Sequence, residues 1–353
     1  MNTLIPQIRF TKCHGSGNDF VMIGDPLAPL GVDEGALPEL SRRVCDRSRG
    51  LDVGAGLKPC GADGLLTLQP DPNHEAEALM RMYNPDGSEA ELCGNGLRCA
   101  IRATMQATGK DALTVRTLKT HHPARKVQDA RFPKVYTVSA HVGQADFDPA
   151  AVPVNITHEL IDSSLTALSS TLKVSALAMP NPHFVVLAPA HADAPASIDD
   201  TLLSKIGSVV NSEPSLFPRG GNVSFVSVLS ADELFVSTFE RGVGLTDSCG
   251  SGMTASAIIA ARLGAVRLSR PLRVYNKGGL VNVQVERTPD GAYSAQLSGN
   301  ATFEAQGVMS LDEGTKTPVV HGKTRVYTEE IDDYAQIALA GRTVFERLQA
   351  RQA

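Results

Sequence analysis

Short runs of branched and aromatic residues alternate with polar turns along most of the chain. Each run is bounded by Gly, Asn, Asp or Pro, the pattern of β-strands separated by tight turns. The predicted strands of the first part are Ile8 to Cys13, Phe20 to Ile23, Leu65 to Leu68, Ala78 to Tyr83 and Leu113 to Val115. Apolar residues at helical spacing predict two helices there, Leu37 to Asp46 and Gly96 to Thr108.

The same order of elements returns in the second part of the chain. Its predicted strands are Val135 to Val142, Phe184 to Leu187, Val223 to Val228, Leu234 to Phe239, Leu272 to Tyr275, Val281 to Glu286 and Ala292 to Leu297. A helix is predicted over Thr254 to Leu263. We therefore expect an α+β fold of two pseudo-symmetric domains, each a strand-rich layer around a central helix.

From this repeat we predict that the chain is divided into three segments. Residues 1–134 form the first half, residues 135–300 the second half, and residues 301–353 a C-terminal extension with a returning strand and an amphipathic helix. Thr328 and the two glutamates after it suit the N-terminus of that helix. Its apolar stripe comprises Ile331, Tyr334, Ile337, Ala338, Val344, Phe345 and Leu348. We expect this stripe to pack on the body of the protein or on a second subunit.

One basic segment departs from the strand pattern. Lys119 to Lys134 is interrupted by Pro123 and Pro133, so we expect a solvated loop. His121 and His122 within it are adjacent, and adjacent residues do not share one face of a helix or strand. A metal site at this pair is therefore not expected.

Composition excludes several classes of protein. The 353 residues are 42% hydrophobic and 20% charged, which is globular rather than disordered composition. The net charge of −5 and the pI near 6.0 offer no basic surface for DNA, RNA or an anionic membrane. No run approaches the roughly 20 apolar residues that span a bilayer. We expect a cytoplasmic protein that acts on a small molecule.

The most informative motif is Cys-Gly-x-Gly, which occurs twice. Cys93 and Cys249 each follow a polar, turn-rich run and lead into a predicted helix. The unpaired N–H groups at a helix N-terminus bind anions, and the positive end of the helix dipole favours a thiolate. Two such turns that meet across a cleft would hold a carboxylate and place one sulfur on each face of its α-carbon. This is the geometry of a cofactor-free racemase.

The other cysteines indicate no special chemistry. Cys13, Cys45, Cys60 and Cys99 are expected to be small buried side chains. Six cysteines in a chain of this length are too few for a disulfide scaffold, and none stand at the close spacing that zinc sites use. We expect no metal. The alternative for Cys93 and Cys249 is a buried pair or a redox couple.

Six sequence blocks around these cysteines resemble the diaminopimelate epimerase family. The blocks are Lys12 to Phe20, Tyr83 to Cys99, Pro180 to His183, Gly221 to Val223, Glu240 to Gly242 and Cys249 to Gly252. They follow the order of that family and span most of residues 8–307. The resemblance implies two pseudo-symmetric domains with the active site in the cleft between them, and no cofactor.

The chemistry also follows from the residues. Inverting a stereocentre needs one base on each face, so Cys93 and Cys249 must start in opposite protonation states, which requires one thiol pKa to be lowered modestly. The N–H groups around Gly94, Asn95, Gly250 and Ser251 suit the substrate carboxylate. Four amides in turns can bond amino and carboxylate groups, namely Asn18, Asn84, Asn181 and Asn222.

Glu240 and Arg241 offer one group for an ammonium and one for a carboxylate, which fits a substrate with an amino acid at each end. The resemblance implies that Arg241 and the asparagines hold the non-reacting end of diaminopimelate, while Glu240 and His183 lie near the reacting centre. The implied activity is the interconversion of LL- and meso-diaminopimelate for lysine and cell-wall synthesis, in a homodimer.

Two departures from the family pattern leave alternatives open. Leu51 to Pro59 lengthen one loop, and Met253-Thr254 is a bulky start to the second helix. A racemase of another amino acid, such as histidine, would keep both cysteines and change the far end of the site. A thiol redox or metal-binding protein, or an inactive relative, is the alternative from another class.

Overall fold

The structure is a computed structural model that describes residues 7–54, 57, 60–169, 172–179, 181–188, 199–311 and 317–350. The chain forms two compact units. Unit 1 comprises Met1–Ala140 and Gly299–Gln336, and unit 2 comprises His141–Ser298 and Ile337–Ala353. The predicted C-terminal extension is thus shared between the units. Two sequence features lie wholly or partly outside the described residues, namely Pro180 and the loop of residues 51–59.

The elements of the first half are β1 (Ile8–Gly15), β2 (Asn18–Gly24), α1 (Leu37–Cys45), β3 (Gly64–Gln69), β4 (Ala78–Tyr83), β5 (Glu89–Ala90), α2 (Gly94–Thr108), β6 (Ala112–Arg116), β7 (His121–Val127) and β8 (Thr137–Ala145). A short 3₁₀ helix, Glu34–Ala36, precedes α1. Those of the second half are β9 (Ser163–Ser164), β10 (Lys173–Ala178), β11 (Pro182–Ala188), α3 (Asp200–Ser212), β12 (Asn222–Ser230), β13 (Glu233–Glu240), β14 (Gly244–Thr246), α4 (Gly250–Arg262), β15 (Pro271–Asn276), β16 (Gly279–Arg287) and β17 (Tyr293–Asn300). The chain ends with β18 (Thr302–Leu311), β19 (Pro318–Val326) and α5 (Thr328–Ala350).

In unit 1 the strands are hydrogen-bonded in the order β19, β18, β1, β2, β3, β4, β6, β7 and β8. The pairs β2–β3 and β4–β6 are parallel, and the other pairs in this order are antiparallel. Each parallel pair needs a crossover connection, which α1 supplies for the first and α2 for the second. β5 forms a short antiparallel pair with β4 just before α2.

Unit 2 repeats this topology. Its strand order is β9, β10, β11, β12, β13, β15, β16 and β17, with parallel pairs β11–β12 and β13–β15. α3 and α4 supply the two crossovers, and β14 pairs with β13 just before α4. The predicted pair of related α+β halves is therefore confirmed, strand by strand.

The second crossover helix of each unit is its core. α2 is buried at every position from Asn95 to Arg102, and α4 is buried at every position from Gly252 to Ala261. A helix that is apolar or small all round must be covered on all sides. The strands of each unit supply that cover, as the pattern predicts.

The prediction of a solvated loop over Lys119 to Lys134 is wrong for residues 121–127 but holds for residues 128–134, which are irregular and largely exposed. Residues 121–127 form β7, which pairs with β6 and β8. His122 and Ala124 are buried, whereas His121, Pro123 and Arg125 are exposed. This is the two-residue period of a strand with one buried face, and the charges and the proline obscure it in the sequence. His122 lies within hydrogen-bond distance of the Thr117 hydroxyl, at 3.1 Å.

Besides β7, the unpredicted elements include the strand β10 and the helix α3. α3 has an N-cap at Asp199, whose side chain accepts a hydrogen bond from Leu202 N at 2.9 Å. Its buried residues Leu203, Ile206 and Val210 follow helical spacing. The helix packs on β12 and β13 of unit 2.

The predicted helix at the end of the chain is confirmed. Within unit 1, Glu330 pairs with the buried Arg102, with Nη2 to Oε1 at 2.7 Å, and Tyr334 lies edge-on to His14 at 4.3 Å between ring centroids. Within unit 2, the ring of Phe345 stacks on Phe235 at 5.8 Å. The apolar stripe is thus buried within the chain at Tyr334, Ile337 and Val344.

We predict that Gly207→Ala destabilises unit 2. Gly207 lies in α3, and a Cβ at this position would lie 2.3 Å from Cγ of Phe239. Replacement of Gly by Ala inside a helix normally stabilises it by about 0.5–1 kcal/mol. Here we expect overpacking to reverse that sign, lowering the free energy of unfolding by about 1–3 kcal/mol in urea denaturation.

The exposed neighbour Ser208 provides the control, because Ser208→Ala should change the unfolding free energy by no more than about 0.5 kcal/mol. A Gly207→Ala protein that is as stable as the parent would contradict this packing of α3.

Candidate active site

Both cysteines of the Cys-Gly-x-Gly motifs are helix N-cap residues. Cys93 precedes α2 with φ −132° and ψ 112°, and Cys249 precedes α4 with φ −124° and ψ 105°. Both helices thus begin at the first glycine after the cysteine, earlier than predicted, because the poor helix propensity of glycine conceals the start. Each thiol therefore lies beside N–H groups that have no acceptor within the helix.

The last glycine of each motif lets the helix N-terminus approach the sheet. A Cβ at Gly96 would lie 2.8 Å from a methyl group of Leu66 on β3. A Cβ at Gly252 would lie 2.8 Å from the hydroxyl of Thr238 on β13. The two turns therefore require glycine for the same reason, which is close packing rather than an unusual backbone angle.

Around Cys93, unit 1 brings together three of the predicted residues. The Cys93 thiol donates to Oδ1 of Asn18 at 3.6 Å, and Nδ2 of Asn95 donates to the same oxygen at 3.2 Å. Oδ1 of Asn95 is buried and has no hydrogen-bond partner among the described residues. A buried acceptor of this kind is suited to a donor group of a ligand, such as an ammonium.

Asn18 is bound by Asp63, which belongs to a network of charged side chains. Asp63 Oδ2 accepts from Asn18 Nδ2 at 2.8 Å and from Asp19 N at 3.1 Å, and Asp63 also forms an ion pair with Arg47. Asp19 in turn binds Arg47 at 2.6 Å and Lys12 at 2.5 Å. Burial opposes ionisation of Asp19, but the hydrogen bonds and charges of Arg47 and Lys12 outweigh it and hold the pKa of its carboxyl well below the usual range.

Asn84 lies apart from this group in the described contacts. It follows β4, and its side chain donates to the Ser88 hydroxyl at 3.0 Å while its backbone N–H donates to Ser88 O at 2.8 Å. These bonds are those of a turn residue. A role for Asn84 in binding stays a prediction.

Around Cys249, unit 2 brings together a carboxylate and two donors. Gly252 N donates to the Cys249 sulfur at 3.3 Å, and the Ser251 hydroxyl lies 3.5 Å from it. Glu240 also interacts with the thiol and is itself held by the Thr246 hydroxyl, which donates to Oε1 at 2.6 Å. Cys249 is only 4% exposed, whereas Cys93 is partly exposed.

Cys249 does not show the lowered pKa that a helix N-terminus suggests. Burial raises the pKa of the thiol well above its usual value, and the negative charge of Glu240 raises it further. The hydrogen bonds from Ser251 and Gly252 act in the opposite direction but are outweighed. Cys249 is therefore a thiol near neutral pH and is a proton donor rather than a ready base.

His183 and Asn181 form a second polar pair in unit 2. His183 Nε2 lies 3.1 Å from Oδ1 of Asn181, and Nδ1 is buried with no hydrogen-bond partner among the described residues. Burial, together with the positive charge of Arg241, lowers the pKa of His183 to about 3. The imidazole is therefore neutral at physiological pH and can donate or accept a hydrogen bond.

Asn222 and Arg241 are joined to this pair through the sheet. Asn222 lies opposite His183 in the β11–β12 register, and its Oδ1 accepts from Arg241 N at 2.8 Å. The guanidinium of Arg241 donates to Arg219 O at 2.9 Å. Among the predicted residues of the second half, His183 thus contacts Asn181, Asn222 contacts Arg241, and Cys249 contacts Glu240 and Ser251.

Matches to known proteins cover most of the chain. A family model described as diaminopimelate epimerase matches residues 10–137 and 175–303. A diaminopimelate epimerase from Clostridium acetobutylicum is 35% identical over 313 residues, which are 88% of each chain. One from Enterococcus faecalis is 33% identical over 316 residues, 89% of this chain and 91% of that protein. The chain belongs to the diaminopimelate epimerase family.

The fold of this family member is shared with other epimerases. The crystal structure of a hydroxyproline epimerase from Agrobacterium vitis matches with a TM-score of 0.57 at 13% identity, covering 87% of this chain and 92% of that chain. The predicted architecture of two strand-rich domains is thereby confirmed. At this identity the similarity concerns the fold alone.

The residues that support the site are not predicted from the sequence. Thr246 holds Glu240, and Asp63 with Arg47 holds Asn18. Asp63 stands in Gly61-Ala62-Asp63-Gly64, a turn signal that points to a loop but not to a partner. Only the parallel pairing of β2 with β3 brings that loop beside Asn18.

Three of the four remaining cysteines are buried. Cys13, Cys45 and Cys99 are buried as expected, whereas Cys60 is partly exposed. Within the described part of the chain, no three His, Cys, Asp or Glu side chains are grouped as a metal site would require. None of the helices described is both long and apolar enough to cross a membrane.

We predict that Glu240→Gln lowers the pKa of the Cys249 thiol. Removing the carboxylate charge stabilises the thiolate, so Cys249 should react with iodoacetamide at lower pH than in the parent protein. The measurement is the alkylation rate of each cysteine against pH, resolved by peptide mass spectrometry.

Glu233→Gln is the matched control. Glu233 lies at the other end of β13 and pairs with Arg273, so the Cys249 profile should not move. Equal profiles for the Glu240→Gln and Glu233→Gln proteins would show that Glu240 does not set the protonation state of Cys249.

Proposed function

We propose that this chain is an isomerase that interconverts LL- and meso-2,6-diaminopimelate by two-base proton transfer at the α-carbon. The observation that carries the proposal is the pair of cysteine N-caps, Cys93 and Cys249, each on a helix that is the core of its unit. The close relationship to diaminopimelate epimerases supports the choice of substrate.

The reaction needs both thiols and the N–H groups beside them. The α-hydrogen of an amino acid is very weakly acidic because the adjacent carboxylate disfavours a second negative charge. We propose that the first-turn N–H groups of α2 and α4 bind that carboxylate and offset this charge in a site from which water is excluded. The thiols then move the proton, and no cofactor takes part.

The two thiols have opposite roles in each direction of the reaction. One thiolate removes the α-proton, and the thiol on the other face supplies a new one. The raised pKa of Cys249 supports its starting as the protonated partner. Inversion then leaves Cys249 as the thiolate, and the reverse reaction starts from that state.

The polar groups of unit 2 are suited to the rest of the substrate. We propose that Glu240 and the neutral His183 lie beside the reacting centre, and that Arg241, Asn181 and Asn222 hold the far amino-acid group. Asn18, Asn84 and Asn95 of unit 1 complete the site. The hydrogen bond from Arg241 N to Asn222, the position of Asn222 opposite His183, and the effect of the Arg241 charge on His183 support a single binding surface.

We also propose that the enzyme acts in the cytoplasm, in lysine and peptidoglycan precursor synthesis, as a homodimer. The six cysteines are free, which suits a reducing compartment. Light scattering would measure the oligomer.

We predict that the protein exchanges the α-proton of LL-diaminopimelate with solvent deuterium and forms the meso isomer, followed by NMR without added cofactor. A panel of other L-amino acids, histidine included, should show no exchange. Exchange confined to another amino acid would leave the two-thiol mechanism in place and replace the substrate.

Cys93→Ala and Cys249→Ala should each lower the epimerisation rate by at least about 100-fold, because each removes one of the two proton carriers. Cys60→Ala is the control, since Cys60 lies outside both N-cap turns and should leave the rate unchanged. Full activity in either N-cap variant is incompatible with two-base transfer.

A further inference from the structure

The orientation of the Asn18 amide is the feature of unit 1 that the proposed mechanism leaves unexplained. An Asn side chain can present either its oxygen or its NH₂ group in a given direction. In this structure the oxygen faces Cys93 and Asn95, and the NH₂ group faces Asp63. Which group faces the thiol decides which protonation state of Cys93 is favoured.

Asp63 determines this choice because an ionised carboxylate only accepts hydrogen bonds. Asp63 Oδ2 lies 2.8 Å from Asn18 Nδ2, and the reversed amide would place two acceptors against each other there. Arg47 forms an ion pair with Asp63 through the other carboxylate oxygen, which leaves Oδ2 available to Asn18 and to Asp19 N. The amide is therefore held in one orientation.

The consequence for Cys93 follows from the same donor and acceptor rules. Oδ1 of Asn18 accepts from the thiol at 3.6 Å and cannot donate to a thiolate. A hydrogen bond made only by the protonated form opposes ionisation. Arg98 interacts with Cys93, and Asp63 binds Asn18. The charged and titratable groups linked to these two are Asp19, Arg47 and Lys12 around Asp63, and Tyr334 and His14 around Arg98.

Arg98 acts in the opposite direction to the amide. It lies on α2, is fully buried, interacts with Cys93, and donates to Gly94 O at 3.3 Å and to the Ser16 hydroxyl at 2.9 Å. Its positive charge favours the thiolate. The protonation state of Cys93 therefore depends on the balance between a fixed cation and an amide whose direction Asp63 sets.

We propose that Asp63 is a positioning residue that disfavours ionisation of Cys93 by fixing the carbonyl oxygen of Asn18 against its thiol, so that the Cys93 thiolate forms at higher pH than it would without Asp63. The proposal rests on the proposed function for its meaning, because it concerns the proton affinity of one of the two proton carriers. Asp63 itself touches neither thiol in the described contacts and has 42% of its side chain exposed.

The test is the pH dependence of Cys93 alkylation by iodoacetamide, followed by peptide mass spectrometry. In Asp63→Ala the amide is free to turn its NH₂ group to the sulfur, so the reactive thiolate should form at lower pH. We expect a shift of about one pH unit, which is about tenfold in rate below the midpoint. An unchanged profile would overturn the proposal.

Asp63→Asn is the second variant, in case the alanine protein does not fold. Its carbonyl oxygen can still accept from Asn18 Nδ2, so a smaller shift in the same direction is expected. Asp46→Asn is the control, since Asp46 lies in the same region, accepts from Ser48 and Arg49, and makes no contact with Asn18 among the bonds described. It should not move the Cys93 profile.

A double-mutant cycle separates the effect of the Asn18 amide orientation on Cys93 from the direct effect of the Asp63 charge. Loss of the Asp63 charge alone would also favour a thiolate, but that effect would persist when Asn18 is replaced. If Asp63 acts through the amide, Asp63→Ala has no further effect in the Asn18→Ala background. An equal shift in both backgrounds would mean that the carboxylate acts on Cys93 directly and would refute the positioning role.

The result does not depend on the substrate. Alkylation reports the thiol whether or not the protein epimerises diaminopimelate, so an inactive protein with the expected shift would overturn only the proposed function. An active protein whose Cys93 profile is insensitive to Asp63 would overturn only this inference.

Discussion

Each half of this protein is built around a buried helix, and in each half that helix begins directly after a cysteine. Because α2 and α4 are buried along most of their length in the cores of their units, each cysteine is held at the point where the chain enters that core. A helix N-terminus carries unsatisfied N–H groups and a partial positive charge. The fold therefore places a thiol and an anion-binding turn at the one end of the helix that is suited to chemistry.

The close packing of that end sets the sequence of the motif. Gly96 and Gly252 contact Leu66 and Thr238 so closely that a methyl group would collide with either neighbour. Residue choice at these positions is thus dictated by the sheet beneath the helix. The cysteine is held where the backbone changes from extended to helical, which fixes the direction of its side chain.

The two halves have the same topology, but the thiols of Cys93 and Cys249 lie against different polar groups. Cys249 is buried against the carboxylate of Glu240, and Cys93 is partly exposed against the amide of Asn18. A carboxylate opposes thiolate formation through charge, whereas an amide does so through the direction of one hydrogen bond. Two thiols of like position can therefore differ in proton affinity, which is what an exchange of proton between two faces of a carbon requires.

The sequence alone determined the repeat, both cysteine motifs, most strands and helices, and the family. These features are local: period-two and helical patterns, turn residues and short motifs are written in consecutive residues. It did not determine β7, where charge and proline concealed a half-buried strand, or α3. It also suggested a lowered thiol pKa from the helix dipole, whereas burial and Glu240 raise the pKa of Cys249. Only the tertiary structure decided which side chains lie together, because Asp63 meets Asn18, 45 residues away, through the pairing of β2 with β3, and Glu240 meets Cys249 through the turn that pairs β13 with β14.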